Sequence, residues 1–262
     1  MSFGLPASAE GGFEAPSAAD FWQPLVGDGA FAITRASIVL LLSAAVISVV
    51  LLRVTRRLAV VPSRGQYLTE AVYGMVRNSV ARDIIGSRDF LRYVPLLFTL
   101  FVLILANNLL GVVPPVQYPT MSRIGFPIAL TLVVFALYHV VGIRKHGLVG
   151  YFKSFVPKGL PWVIVAFIYP LELITYFFTR PVTLALRLFG NMFAGHILLL
   201  LFILGGEYLV FEAGGLMTVA GALAFVMGFV LTLFEMLVEF LQAYVFVLLA
   251  AFYIAGALAD EH

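Results

Sequence analysis

Two apolar stretches of the chain carry side chains that hydrocarbon tolerates poorly. Residues 161–204 hold Glu172, Thr175, Arg180, Thr183, Arg187, Asn191 and His196, and residues 214–258 hold Thr232, Glu235, Glu239, Gln242, Tyr244 and Tyr253. An ionisable group at the centre of a bilayer helix costs ~2.5–3.5 kcal/mol on insertion scales, so such groups are functional candidates by default. Imidazole, carboxyl and water can pass protons because their pKa values bracket working pH after modest shifts. Guanidinium cannot, because it keeps its proton in proteins. Arg187 is therefore a fixed positive charge, able to stabilise a carboxylate brought near it and to repel protons on the same path. The chemistry on offer is proton movement past a barrier.

Helical geometry, at ~100° per residue, sorts these groups onto faces. Thr183, Arg187 and Asn191 stand at i−4, i and i+4 and share a face, with Arg180 one further turn back. His196 follows Arg187 by nine residues, half a turn out of phase, so it points to the opposite side. Glu235, Glu239 and Gln242 stand at i, i+4 and i+7, and Tyr253, 18 residues past Glu235, rejoins their stripe. One helix thus offers a line of two carboxyls, a carboxamide and a phenol. The other offers an arginine on one face and an imidazole on the other. If Arg187 faces away from His196, its counter-ion comes from another polypeptide.

Plainer readings stand beside these. Arg187 can be neutralised within the chain by Glu235 or Glu239, as a packing salt bridge. Arg180, before Pro181, can snorkel to an interface. His139 in an earlier apolar run reads as a satisfied core histidine, and Glu172 as a helix-end charge. Glu235 and Glu239 have the spacing of half a metal site, but no partner ligands accompany them, so no metal is expected. The sequence contains no HExxH, GxSxG or P-loop pattern, which leaves an intramembrane enzyme or a nucleotide site without support. No cofactor is expected. The absence of Cys excludes a disulfide framework and thiolate chemistry.

The elements that must position these groups are membrane helices. Of the 262 residues, 62% are hydrophobic and only 11% charged, with a mean hydropathy of +1.04. A soluble domain has about 25% charged residues, so an ordinary water-soluble globule is ruled out. The net charge of +2 gives no electrostatic basis for binding nucleic acid. A span needs ~20 apolar residues. Three runs of that kind predict spans over about 33–53, 93–113 and 126–143. The runs 161–204 and 214–258 are each more than 40 residues, ~60 Å as a helix and about twice the hydrocarbon core. Neither has a polar turn near its middle, so each is read as one long tilted helix rather than a hairpin crossing twice. The expected fold is all-α: a polytopic membrane protein with five membrane helices, two of them long and tilted.

Residues 66–85 are not a span. Leu68, Val72, Met75, Val76 and Val80 fall at helical spacing while Glu70, Arg77 and Arg82 lie elsewhere on the wheel, which predicts an amphipathic surface helix. Twelve of the 16 basic residues lie in 53–92 and 144–160. By the positive-inside rule this places the N-terminus outside and the C-terminus in the cytoplasm. Residues 1–30, rich in Ala, Gly and Pro, read as a flexible tail, and with four acids before the first basic residue, Arg35, they do not read as a secretory signal. Residues 31–262 form one membrane domain.

The run from Pro181 through Arg187 and Asn191 to Met192, followed by Ala194, Gly195 and His196, resembles the signature of subunit a of rotary F-type ATP synthases. The run from Glu235 through Glu239 and Gln242 to Phe246, with the later Tyr253, resembles that family's last helix. Asn107 to Gly111 and the stretch from Pro114 and Pro115 to Pro119 match as well, and the resemblance covers about residues 33–258. It implies a stator whose two slanted helices wrap a ring of c subunits, in a complex with peripheral-stalk b subunits and the ATP-making subunits, in an energy-coupling membrane such as a bacterial plasma membrane. Arg187 matches the essential arginine that meets the ring carboxylate and separates two aqueous half-channels. His196, Glu235, Asn191 and Gln242 match residues of the outer half-channel, with Thr183 and Tyr253 beside the pathway. Some members carry the acid and the histidine in reverse places, which keeps one acid–imidazole pair. Glu172 resembles the acid of the inner half-channel. Glu239 is an additional acid on the same stripe. Where some members have an acid in the outer loop this chain has Ser122, so no access role is expected of that loop. A competing reading is a proton-coupled secondary transporter or membrane channel in which Arg187 binds an anion. Transporters often show inverted repeats, and none is visible in the sequence.

Overall fold

A computed structural model describes residues 16, 24–27, 33–56, 58–113, 118–155 and 161–259. The tail over 1–30 therefore lies almost entirely outside the described residues, as do Pro114, Pro115 and the last three residues. A short ribbon opens the described chain: β1 (Pro24–Val26) pairs antiparallel with β2 (Ile33–Thr34). Helix α1 (Arg35–Thr55) follows directly.

Helix α2 begins at Arg64–Met75, where Ser63 caps it by accepting a hydrogen bond from the Gln66 backbone N–H at 3.3 Å. It runs on through a π-helical segment, Val76–Arg82, and a last turn, Asp83–Ile85. Gly86, at φ +94°, ends it in the left-handed region that glycine enters without steric cost. The amphipathic pattern is realised in packing: Val76, Val80 and Ala81 are buried while Arg77 and Arg82 are exposed.

Helix α3 (Phe90–Val112) leads to a single turn, Thr120–Ser122, and then to α4 (Gly125–Lys153). Here structure and hydropathy differ. The apolar run stops at Ile143, but the helix continues to Lys153 across a break at Gly147 (φ +71°). Hydropathy marks where a helix leaves hydrocarbon, whereas only Pro, a left-handed residue or a competing cap ends its hydrogen bonding. The break lets Tyr151 fold back against Gly142, whose missing side chain makes room for the ring.

Helix α5 spans Trp162–Phe211 and α6 spans Met217–Leu258, each as one continuous rod. Among the described residues five helices are long and apolar enough to cross a membrane: α1, α3, α4, α5 and α6. The fold is that of a polytopic membrane protein, and α5 and α6 have the length expected of tilted helices. Their contacts run in opposite senses, from Gly206 beside Gly221 to Gln242 at Arg187 and Tyr253 at Arg180, so they form an antiparallel hairpin. At its closed end a Cβ on Gly221 would lie 2.8 Å from the Gly206 carbonyl oxygen. In lipid, apolar burial gives helices little drive to associate, and small residues that permit close approach do that work. The interior follows this rule. Tyr93, Val94, Leu97, Phe101 and Ile104 of α3 are buried in one core with Ala243, Val247, Ala250 and Ala251 of α6.

Candidate proton-path site

The first part of α5 is not uniformly α-helical. Residues Thr175–Thr179 form a π-helical turn immediately before Arg180 and Pro181. Proline has no N–H to donate to the preceding turn, and widened turns of this kind accommodate such breaks. The Tyr176 carbonyl accepts a hydrogen bond from the Tyr138 hydroxyl at 2.8 Å, tying the irregular turn to α4. The Arg180 guanidinium lies 3.5 Å from the centre of the Tyr176 ring and 5.2 Å from that of Tyr253. Cation–π contact thus holds Arg180 in place. His139 is core, as its plainer reading predicts: its Nδ1 lies 2.7 Å from the Tyr151 hydroxyl and its ring stacks on Phe177.

Arg187 is exposed on α5, and exposed apolar residues occur on the same stretches of the hairpin: Val182 and Leu186 on its own helix, Leu237 and Leu241 on α6. Its backbone carbonyl accepts a 3.1 Å hydrogen bond from Gln242 Nε2, which pins α6 at this level. Glu235 and Glu239 are buried, and neither carboxylate has a hydrogen-bond partner among the described residues. The intrachain salt bridge of Arg187 with these acids is therefore absent. A permanent cation stands on an apolar outer surface, facing away from the acids of its own chain.

The opposite side of the hairpin gathers the proton-exchanging groups. His196 of α5 and Glu235 of α6 are 4% and 7% exposed, and Glu239 is wholly buried. Gly195 is what permits this: a Cβ there would lie 2.8 Å from Glu235 Oε1. Helix α3 closes the cluster. Asn108 Nδ2 donates to the Glu239 backbone carbonyl at 3.4 Å, and Asn107 Oδ1 accepts from the hydroxyls of Ser43 and Thr120, each at 3.1 Å. The loop beyond α3 is also anchored: Arg35 lies over the Tyr118 ring at 5.4 Å, Arg123 donates to Thr34, and burial pushes the Tyr118 phenol above its ordinary pKa.

The remaining sequence candidates fall around these two sides. Asn191 and Gln242 are half-buried between them. Thr183 is exposed; its hydroxyl donates back to the Thr179 and Arg180 carbonyls, at 2.6 and 3.1 Å, and is hydrogen-bonded to Tyr253 on α6. Tyr253 is half-buried beside Arg180. Glu172 is half-buried, 15 residues before Arg187 and so about 22 Å away along the helix. Residue type and spacing alone gave no part to Asn108, Gly111 and Gly195. The Asn107–Gly111 motif was the available signal: its Asn108 reaches the Glu239 backbone, and its Gly111 leaves room for the Met192 side chain.

A family model described as ATP synthase A chain matches residues 37–255. The chain is 47% identical to ATP synthase subunit a of Nocardioides sp. over 268 residues, covering 97% of each chain. It is 41% identical to that of Pseudarthrobacter chlorophenolicus over 266 residues, covering the whole of both. It is 37% identical to that of Rhodococcus erythropolis over 254 residues, covering 95% of this chain and 92% of the relative.

Proposed function

The chain belongs to the ATP synthase A chain family, and on that premise we propose how its two sides divide the work of a proton-translocating stator. The chain is the membrane subunit a of a rotary F-type ATP synthase, with other ATP synthase subunits as partners. In our reading the apolar face around Arg187 abuts a ring of c subunits, and peripheral-stalk b subunits hold the chain against rotation. The N-terminus lies outside and the C-terminus in the cytoplasm of a bacterial plasma membrane.

Protons enter from outside past Glu235 and His196 and protonate a ring carboxyl, which then turns into lipid. After nearly a full turn the carboxyl meets Arg187, loses its proton toward the Glu172 side and pairs with the guanidinium. Because the guanidinium never deprotonates, it blocks a direct leak between the half-channels. Gln242 holds the backbone at Arg187, and Asn191, Thr183 and Tyr253 line the approach. One proton falling through 100 mV releases ~2.3 kcal/mol, so several are needed per ATP. The chain itself makes and breaks no covalent bonds.

The observation that carries this reading is the exposed Arg187 on an apolar surface with Glu235 and Glu239 buried away from it. Arg187→Ala should leave the complex assembled and abolish proton-coupled ATP synthesis. Normal coupled synthesis in that variant would end the proposal.

A further inference from the structure

Behind α6, buried acids outnumber the groups that could neutralise them. Glu235 and Glu239 stand one turn apart, where side chains at i and i+4 are ~5–6 Å apart at Cβ. All four of their carboxylate oxygens lack a hydrogen-bond partner among the described residues. The helices packed against them supply one further titratable group, His196, and the amide of Asn108, which is engaged with a backbone carbonyl. Arg187, the nearest cation along α5, faces outward. Among the described residues no three His, Asp or Glu side chains converge as a metal site requires. Two ionised carboxylates this close, out of water and without donors, are too costly for a fold to keep. The two carboxyls are therefore not both ionised at once.

Placement gives Glu239 a direction of transfer. A Cβ on Gly111 would lie 3.6 Å from Glu239 Oε1 and 3.5 Å from the Pro119 Cα, so the end of α3, the turn Thr120–Ser122 and Glu239 meet at one point. Thr120 and Asn107 are hydrogen-bonded to each other, and Asn108 reaches the Glu239 backbone. Polar groups thus run from the turn through α3 to Glu239, and one helical turn onward to Glu235 and His196. The turn has no acid of its own, and α6 supplies one beside it.

We infer that Glu239 is a second proton-carrying carboxyl, linking the turn Thr120–Ser122 to Glu235. This rests on the stator reading above. It also gives the loop after α3 the access role that its lack of an acid argued against.

The test uses the whole complex in proteoliposomes. Glu239→Gln should slow ATP-driven proton pumping about tenfold or more, as loss of a proton-transfer group does. It should also shift the pH of half-maximal pumping, with subunit composition unchanged. Glu239→Asp should recover most of the rate. Pumping at the parent rate with an unchanged pH profile in Glu239→Gln would overturn the inference, as would an Asp variant no better than Gln. If Glu239→Gln fails to assemble, Thr120→Cys puts the same question: silver ion added on the side opposite the ATP-making subunits should stop pumping in that variant and spare the parent. Equal silver sensitivity in both would overturn it. Arg187→Ala separates the two readings. If it keeps coupled synthesis, the stator reading falls. If it is inactive while Glu239→Gln pumps normally, only the role of Glu239 falls.

Discussion

The buried cluster around Glu235 and the one around Arg180 lie along the same helix pair and are built on opposite principles. Around Arg180 most polar groups are engaged: the guanidinium sits over Tyr176, the Tyr138 hydroxyl is bonded to a carbonyl, and the Tyr151 hydroxyl meets His139 Nδ1, with His139 Nε2 left without a partner among the described residues. Around Glu235 the carboxylates are buried with oxygens that no described residue donates to, in space that glycines leave open. Groups engaged in this way hold one geometry, whereas carboxyls without donors are not fixed by hydrogen bonds. The first suits a fixed scaffold for the π-helical turn of α5, and the second a path along which protons move.

The contrast predicts where substitutions will tell. Glu235→Gln removes an exchangeable proton and should reduce proton pumping by about a hundredfold or more in a complex that still assembles. A rate within twofold of the parent would erase the difference between the clusters. Exchanging the pair, as His196→Glu with Glu235→His, should retain more pumping than either single change, because one acid and one imidazole remain. A double variant no better than the singles would show that the two sites do not act together.

Gly195→Ala sharpens the comparison. The added methyl would strike Glu235 Oε1, the far end of a flexible side chain, so the fold should accept it while the carboxyl shifts. Pumping should fall a few-fold, on the order of a mispositioned rather than a missing group, with subunit content unchanged. The smallest effect belongs to the scaffold. Tyr138→Phe removes one hydrogen bond to the Tyr176 carbonyl and should cost about 1 kcal/mol of stability, seen as earlier thermal loss of the purified complex. The pH profile of pumping should not move. A moved profile would place Tyr138 on the proton path and break the division between the two clusters.

Much of this arrangement was legible in the sequence because helical periodicity is strict. The half-turn between Arg187 and His196 fixed that one would face out if the other faced in, and the i, i+4, i+7 stripe fixed that Glu235, Glu239 and Gln242 would share a side. Composition alone pointed to membrane helices, and the length of the last two runs left a choice between a hairpin crossing twice and one long tilted helix, which the lack of a polar turn decided for the latter. The short ribbon of β1 and β2 and the helical extension to Lys153 were not legible, since neither depends on an apolar run.

What periodicity cannot supply is the rotation of one helix against another, or how closely their backbones approach. An i, i+4 pattern says which side chains on a rod point together, but it is silent on what they meet. That Arg187 lies away from Glu235 and Glu239, that Asn108 reaches the backbone beside a buried acid, that Gly195 makes room for the Glu235 carboxyl and that Gly111 makes room for Met192 are decisions of packing between α3, α5 and α6. They arise because small residues let backbones come close. The groups that could carry protons were therefore set by residue type along single helices, and only the tertiary contacts left the acids without partners among the described residues and the arginine facing outward.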